Sequence, residues 1–156
     1  IILIFVFLIL GAISFYLYYN QEEKKYTALK NPVEGLSDEQ AISQFDETFV
    51  KYILYRVDAD ELHNPPLSSN TPKLEFQVED ETFSAEIKDG AIYVKKEKIE
   101  DEDIIIKTSK QEAVKMLRDL NYVGTSFTEG KSTFELKKGN AELLTKGYLQ
   151  LYESFG

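Results

Sequence analysis

His63 is the only histidine in a sequence of 156 residues that contains no cysteine. It stands between Leu62 and Asn64, two residues before a pair of prolines, in a stretch whose composition predicts a loop. A zinc site or a nucleophilic triad would require further ligands or an activated nucleophile at defined spacings, and the sequence shows no such motif. We therefore predict that His63 is solvent-exposed or orders its loop, and that the protein is non-catalytic, with no cofactor and no metal.

Two acidic clusters, residues 58–61 and residues 100–103, could offer oxygen ligands to a hard cation such as Ca²⁺. Neither cluster contains the glycine and the distal glutamate of a calcium-binding loop. Lys95, Lys96 and Lys98 would also neutralise part of the charge of the second cluster. A solvated loop is therefore the better interpretation of both clusters.

Residues 1–19 form the longest apolar stretch of the chain, without a charged residue, an amide side chain or a proline. A helix of this length rises roughly 28 Å, which is close to the hydrocarbon thickness of a bilayer. Large apolar residues occupy all its sides, and tyrosines crowd its end, where an amphipathic ring suits the membrane interface. We predict a single membrane-spanning or assembly helix that includes Ile1, Phe5, Phe7, Leu10, Phe15, Tyr16 and Tyr19.

Two other interpretations of this stretch fit its residues less well, and a third assigns it a different role. A secretory signal peptide would show a basic start and a small-x-small cleavage site. A buried core helix would rarely run this far with Ser14 as its one polar residue. A bare apolar helix at the start of the chain also fits a filament subunit whose leader a prepilin-type peptidase has removed, although Phe5 stands where bacterial pilins usually carry a glutamate.

The part of the chain after residue 19 is acidic and long enough for one domain. All 18 basic and 27 acidic residues lie there, so it carries the full net charge of -9. This charge repels nucleic-acid phosphates, which excludes nucleic acid as a main partner. We divide the chain into an anchor helix at residues 1–19, a polar tether at residues 20–36 and a domain at residues 37–156.

The domain begins with apolar residues at the spacing of an α-helix. Ser37 and Gln40 have the spacing of a capping box, which predicts a helix that ends near Val57. Apolar residues behind the box recur at helical spacing and give one stripe for burial, formed by Ile42, Phe45, Phe49, Tyr52 and Ile53.

Strand periodicity begins at Lys73, where apolar and polar residues alternate. The pattern repeats in residues 83–87, and Asp89-Gly90 is a strong hairpin signal before residues 91–95. We predict an antiparallel meander with one wet face. Residues 104–106 are three isoleucines, which predict a short strand that is covered on both sides.

The C-terminal part predicts helix, strand and helix. Ser109 and Glu112 form a second capping box, for a helix that stops near Asn121. Residues 122–131 fit a loop or a partly helical turn, and residues 132–138 fit a strand. Asn140 can cap a last helix with an apolar stripe of Leu144, Tyr148, Leu151 and Phe155.

This order of elements predicts an α+β domain in which helices cover one face of a mainly antiparallel sheet. Four stretches carry a resemblance to a known family: Phe76-Gln77-Val78, the turn from Glu86 to Ile92, the run from Asp103 to Ile106 that leads into Ser109, and the pattern Phe127-x-x-Gly130-Lys131-x-x-Phe134-x-Leu136-x-x-Gly139-Asn140-Ala141-x-Leu143-Leu144. Over about residues 42–155 the chain resembles the sterol carrier protein (SCP-2-like) domain family, most specifically in its second half.

The resemblance implies an apolar tunnel for a lipid or acyl chain between sheet and helices, closed by the final helix. The residues that would correspond to its walls are Phe127, Phe134, Leu144, Tyr148 and Leu151. Alternatively, these side chains fill an ordinary core, as aromatic and leucine stripes usually do. The anchor, the acidity and the tyrosine-rich last helix depart from the usual soluble carrier.

We predict a single-pass membrane protein that binds a lipid or hydrophobic ligand, or docks a membrane protein partner, close to the bilayer. The alternative is a structural subunit of an extracellular filament or an accessory subunit of a membrane complex. In that case residues 1–19 would pack in the assembly core, against identical helices or a partner. The sequence does not fix the side of the membrane, which would be extracytoplasmic if the N-terminus is processed.

Overall fold

The computed structural model describes residues 29–154. The predicted anchor helix, most of the tether and Phe155 lie outside the described residues, so the membrane prediction stays a prediction. Within the described range, no helix combines the length and the apolar character that crossing a bilayer requires.

Six α-helices and five β-strands lie within the described residues, in an order that alternates helical and extended blocks. The helices are α1 (Asp38–Ser43), α2 (Glu47–Arg56), α3 (Lys110–Arg118), α4 (Tyr122–Thr128), α5 (Asn140–Thr145) and α6 (Tyr148–Ser154), and a 3-10 turn spans Ala59–Glu61. The strands are β1 (Lys73–Val78), β2 (Glu81–Lys88), β3 (Ala91–Lys95), β4 (Ile104–Thr108) and β5 (Thr133–Leu136).

The five strands form one sheet in the order β3-β2-β1-β4-β5. Only the central pair β1 and β4 is parallel, and the other neighbours are antiparallel. The predicted mainly antiparallel α+β architecture is therefore confirmed. Phe76 on β1 lies opposite Phe83 on β2 and Ile106 on β4, so these large apolar side chains share one face of the sheet.

The helices pack on that apolar face. The Phe45 ring meets the Phe83 ring with a centroid distance of 5.9 Å. The Tyr55 hydroxyl accepts a hydrogen bond from the Ile92 backbone N–H at 3.2 Å, which fastens α2 to the edge strand β3. The other face is drier than predicted, because Glu75, Ser84 and Ile105 are buried there. Glu75 on β1 lies between the other two, with Ser84 on β2 to one side and Ile105 on β4 to the other.

The prediction of one continuous helix at the start of the domain is wrong, because the structure has two helices there, α1 and α2. Ser37 does form the predicted capping box with Gln40 at the start of α1. Asp46 then opens a second helix, since its carboxylate accepts a hydrogen bond from the Thr48 backbone N–H at 2.8 Å. A short acidic side chain that captures a backbone amide in this way favours a new helix start over continuation.

The C-terminal helices also differ from the prediction. The helix capped by Ser109 ends at Arg118, before the predicted stop at Asn121, and residues 122–128 form the separate helix α4. The last helix is broken into α5 and α6 at Gly147, whose φ of +88° lies in the left-handed region that favours glycine. Asn140 is the first residue of α5, and its cap is Gly139.

Candidate hydrophobic site

An apolar groove of about 250 Å³ lies where α5 and α6 meet the edge strand β5. Four large side chains in its lining are more than half exposed, with relative exposures of 53% for Leu136, 55% for Leu144, 53% for Leu149 and 58% for Tyr152. Folded domains rarely leave so many large apolar side chains together in water without a use for them. The complete lining is Leu136, Asn140, Leu143, Leu144, Tyr148, Leu149 and Tyr152.

The interior behind the groove is almost filled. A cavity of about 20 Å³ remains there, with room for about one water molecule. Its lining consists of Ile104, Phe134, Leu136, Tyr148, Leu151 and Tyr152. At this position the two sheet-facing helices therefore meet the sheet in close contact, and the larger apolar space lies at the surface.

Three aromatic rings support the side of the groove next to β5. The Phe127 and Phe134 rings stack with a centroid distance of 4.2 Å and an interplanar angle of 13°. The Phe134 ring also meets the Tyr152 ring at 5.8 Å. Each such pair contributes about 0.5–1.5 kcal/mol beyond its area burial, so the rings hold this wall in one arrangement.

A buried ion pair lies beneath the groove. Lys146, between α5 and α6, places its Nζ 2.7 Å from Oδ1 of Asp103, and both side chains are 0% exposed. Nζ also donates to the Thr71 carbonyl at 3.4 Å and lies 3.5 Å from Oε1 of Glu142. Two opposite charges out of water must stay together, so the pair fixes the α5–α6 junction against the start of β4.

Tyr148 joins this ion pair to the groove. Its ring lines the groove, while its hydroxyl donates to Oδ2 of Asp103 at 2.8 Å and lies 3.4 Å from the Lys73 carbonyl oxygen. Burial raises the pKa of the Tyr148 hydroxyl well above its ordinary value, and the adjacent Asp103 carboxylate adds to the rise. The hydroxyl therefore stays protonated and engaged with the protein below the groove.

Asp103 is held in turn by the sheet. Oδ2 accepts a hydrogen bond from the Lys73 N–H at 2.8 Å, and the Asp103 N–H donates to the Lys73 carbonyl at 2.8 Å. The Asp103 carbonyl accepts from the Lys137 N–H at 2.9 Å. One residue thus connects the start of β1, the start of β4 and the end of β5 with the two last helices.

This arrangement corrects the prediction for the acidic clusters as solvated loops. Asp103 is fully buried and paired, and Asp60 in the first cluster is buried as well. Asp101 remains on the surface in an ion pair with Lys138. Among residues 29–154, no group of three acidic or imidazole side chains is placed to hold a metal ion.

His63 is exposed, as predicted, and orders the turn between α5 and α6. Its backbone N–H donates to the Lys146 carbonyl at 3.1 Å. Its ring lies against Gly147, so close that a Cβ built there would be 3.2 Å from Cε1 of His63. His63 therefore acts as a packing residue of the α5–α6 junction.

A second polar network, which the sequence analysis did not identify, connects α3 and α4 with β5. The Glu112 carboxylate accepts hydrogen bonds from Lys115 at 2.8 Å, Tyr122 at 2.8 Å and Ser126 at 3.2 Å. Burial, the largest single influence, acts to raise the pKa of the Glu112 carboxyl, but these three hydrogen bonds together hold it below its ordinary value. Ser126 continues the network to Ser132 at 2.9 Å. The capping box predicted for Ser109 and Glu112 is only half formed, because the Ser109 hydroxyl accepts from the Glu112 N–H while the Glu112 carboxylate joins this network. The contacts of Glu112 with α4 had no spacing signal, because the two helices are separate elements.

The predicted pocket residues lie close together but in different roles. Leu144 and Tyr148 line the surface groove, whereas Phe134, Tyr148 and Leu151 surround the small cavity behind it. Phe127 lies one ring further away, stacked on Phe134. Five further residues of the groove were not predicted as pocket residues: Leu136, Asn140, Leu143, Leu149 and Tyr152. The adjacent leucines 143 and 144 and the spacing of residues 149 and 152 are signals of an exposed apolar helix face.

Fold and site together define a small α+β domain with a preformed apolar groove on its surface. No protein-family model and no curated protein matches the sequence. Similar solved structures include the stereoselective inverting sec-alkylsulfatase Pisa1 from Pseudomonas sp., at 14% identity and a TM-score of 0.43, over 76% of this chain and 17% of that one. They also include the UbiJ-SCP2 ubiquinone synthesis protein, at 14% identity and a TM-score of 0.40, over 69% of this chain and 90% of that one.

A third similar structure is sterol carrier protein 2 like 2 from Aedes aegypti, at 16% identity and a TM-score of 0.37, over 65% of this chain and 94% of that one. The chain thus spans only 17% of the length of the alkylsulfatase. All three TM-scores are below 0.5, so these likenesses carry no argument about function. Further conclusions depend on the groove itself.

Proposed function

We propose that this protein is a non-catalytic module that binds the apolar part of a lipid-like molecule in the groove between β5, α5 and α6. The observation that carries the proposal is the exposure of Leu136, Leu144, Leu149 and Tyr152 around one concavity. Covering such side chains releases about 25 cal/mol per Å² of apolar surface, which is the main driving force for binding a hydrocarbon chain.

The base of the groove supports this function because it is preorganised. The ion pair of Lys146 with Asp103 and the hydrogen bond of Tyr148 fix the helices before a ligand arrives. A site that is already formed loses less conformational entropy on binding than a site that must be ordered. Leu144 and Leu149, on α5 and α6, thus stand as fixed walls.

The proposal extends to the membrane through residues 1–19, which we propose form a single membrane-spanning helix. A tether of this kind would raise the effective concentration of the groove at the bilayer surface. The domain would then accept a chain from the bilayer over a short distance.

The test is photo-crosslinking of the full chain in lipid nanodiscs with a diazirine-bearing acyl probe. We expect the labelled residues to map to residues 136–152, and the double variant Leu144→Gln/Leu149→Gln to reduce labelling about tenfold, because it removes apolar surface from both helices. Leu67→Gln is the matched control, since Leu67 is fully exposed and lies outside the groove.

Two results would overturn the proposal. Labelling of residues 136–152 that the double variant leaves unchanged would show that the groove does not hold the chain. Equal losses in the double variant and in Leu67→Gln would show a general effect of surface polarity instead of a site.

A further inference from the structure

We infer that the groove selects an uncharged single-chain amphiphile, such as a fatty alcohol or ester, over an anionic one such as a fatty acid. The inference depends on the proposed function and specifies the ligand class of the same site. It follows from the polar atoms that the groove offers and from the charges that surround it.

The described lining contains no charged side chain. Three of its residues carry a polar side-chain group: Asn140, Tyr148 and Tyr152. The Tyr148 hydroxyl already donates to Asp103 beneath the groove and is not offered to a ligand. The Asn140 carboxamide at the exposed start of α5 and the hydroxyl of the exposed Tyr152 are uncharged groups, and each can donate to or accept from an uncharged headgroup.

The cations closest in sequence to the lining all have a carboxylate partner. Lys146 is completely buried against Asp103. Lys137 pairs with Glu135 at 3.1 Å, and Lys138 pairs with Asp101. An anionic headgroup would compete with these carboxylates for its counterion, and the protein carries a net charge of -9 that repels it as well.

A carboxylate at the groove would therefore lose hydration without gaining a partner of opposite charge, which is unfavourable. A hydroxyl or ester headgroup loses much less hydration and finds the Asn140 carboxamide. The groove volume of about 250 Å³ lies below the range of about 300–1,000 Å³ for drug-sized ligands, so it suits one chain.

The experiment measures competition by 1-decanol and by decanoate against the acyl photoprobe, on the full chain in nanodiscs at neutral pH. We expect 1-decanol to compete about tenfold better than decanoate in the wild type. Both competitors partition into the nanodisc lipid, so the decisive quantity is the change of their preference between variants, in which partitioning cancels.

Asn140→Lys places an ammonium at a polar position of the lining, and we expect it to shift the preference about tenfold towards decanoate. Gln44→Lys is the matched control, since it adds the same charge at an exposed position between α1 and α2, away from the groove. Its preference should equal that of the wild type.

The outcomes separate the inference from the proposed function. If neither compound competes, the proposed function fails. If Asn140→Lys leaves the preference unchanged, or if Asn140→Lys and Gln44→Lys shift the preference equally, the groove binds a chain but the inferred selectivity is overturned.

Discussion

Lys146 and Asp103 form an ion pair of 2.7 Å in which neither side chain is exposed to solvent. They are 43 residues apart in sequence, one at the junction of the last two helices and the other at the start of a central strand. Each charge offsets most of the desolvation cost of the other, so the position of α5 and α6 depends on both residues. The groove on the outer side of these helices depends on the pair in the same way.

Loss of one partner of this pair should be strongly destabilising. We expect Lys146→Met to lower the free energy of unfolding by about 3–5 kcal/mol, because it leaves the Asp103 carboxylate buried without a counterion. The measurement is urea unfolding followed by circular dichroism. Lys107→Met is the control, because it breaks the exposed pair of Lys107 with Glu135 and should cost at most about 1 kcal/mol.

The double variant Lys146→Met/Asp103→Asn separates charge from packing. Asparagine keeps an acceptor for Tyr148 and removes the isolated charge, so the double variant should be more stable than Lys146→Met alone. A double variant that is less stable than Lys146→Met would mean that the lost charge is not the cause of the destabilisation.

The raised pKa of the Tyr148 hydroxyl predicts that the protein loses stability at alkaline pH. Its pKa in the folded protein is raised, so the folded state holds the proton more tightly than the unfolded state. The stabilisation is fully present below the unfolded pKa of about 10 and is lost as pH rises above it, through the folded pKa. Unfolding free energies at neutral pH and at about pH 11 should differ less in Tyr148→Phe than in the wild type.

Tyr93→Phe is the control for this alkaline effect, because Tyr93 is exposed on the edge strand β3. It should show the same difference between the two pH values as the wild type. An unchanged alkaline loss in Tyr148→Phe would assign the effect to other groups.

The α5–α6 junction should tolerate a side chain at position 147 poorly, for a steric and a conformational reason. We expect Gly147→Ala to destabilise the protein by about 1–2 kcal/mol, because its φ of +88° is strained for alanine and its Cβ would lie 3.2 Å from the His63 ring. Thermal unfolding measures this change. Gly139→Ala is the control, since its φ is -69° and its Cβ would meet nothing within 4 Å.

The double variant Gly147→Ala/His63→Ala distinguishes the two causes. Removing the imidazole relieves the close contact but not the backbone strain, so Gly147→Ala should cost less stability in the His63→Ala background than in the wild type, but more than zero. If Gly147→Ala and Gly139→Ala have the same stability, the left-handed turn is not a constraint on this junction.

The parts of this fold that could be predicted are those specified by neighbouring residues, such as helix starts and turns. The capping serines Ser37 and Ser109 and the Asp89-Gly90 turn act within a few residues, so the sequence alone was sufficient for them. Asp46 has the same local chemistry, but the apolar stripe of a continuous helix obscured it. The α+β class follows from the order of these elements.

The site could be predicted only in part, because it depends on contacts between distant residues. The sequence identified Leu144 and Tyr148 as apolar positions, but a continuous last helix would have aligned them on one face. The break at Gly147 turns Leu144 outward and Tyr148 inward. The partner of Asp103 was not predictable either, since no local pattern connects an acidic loop with Lys146.

The edge strand that borders the groove has only four residues, Thr133–Leu136. A protein that exposes leucines is at risk of polymerising when an unpaired strand also offers its backbone to another molecule. Here the strand is short, and Glu135 at its middle carries a charge that Lys107 and Lys137 share. Colloidal stability and an open apolar surface are therefore compatible at the same edge of this sheet.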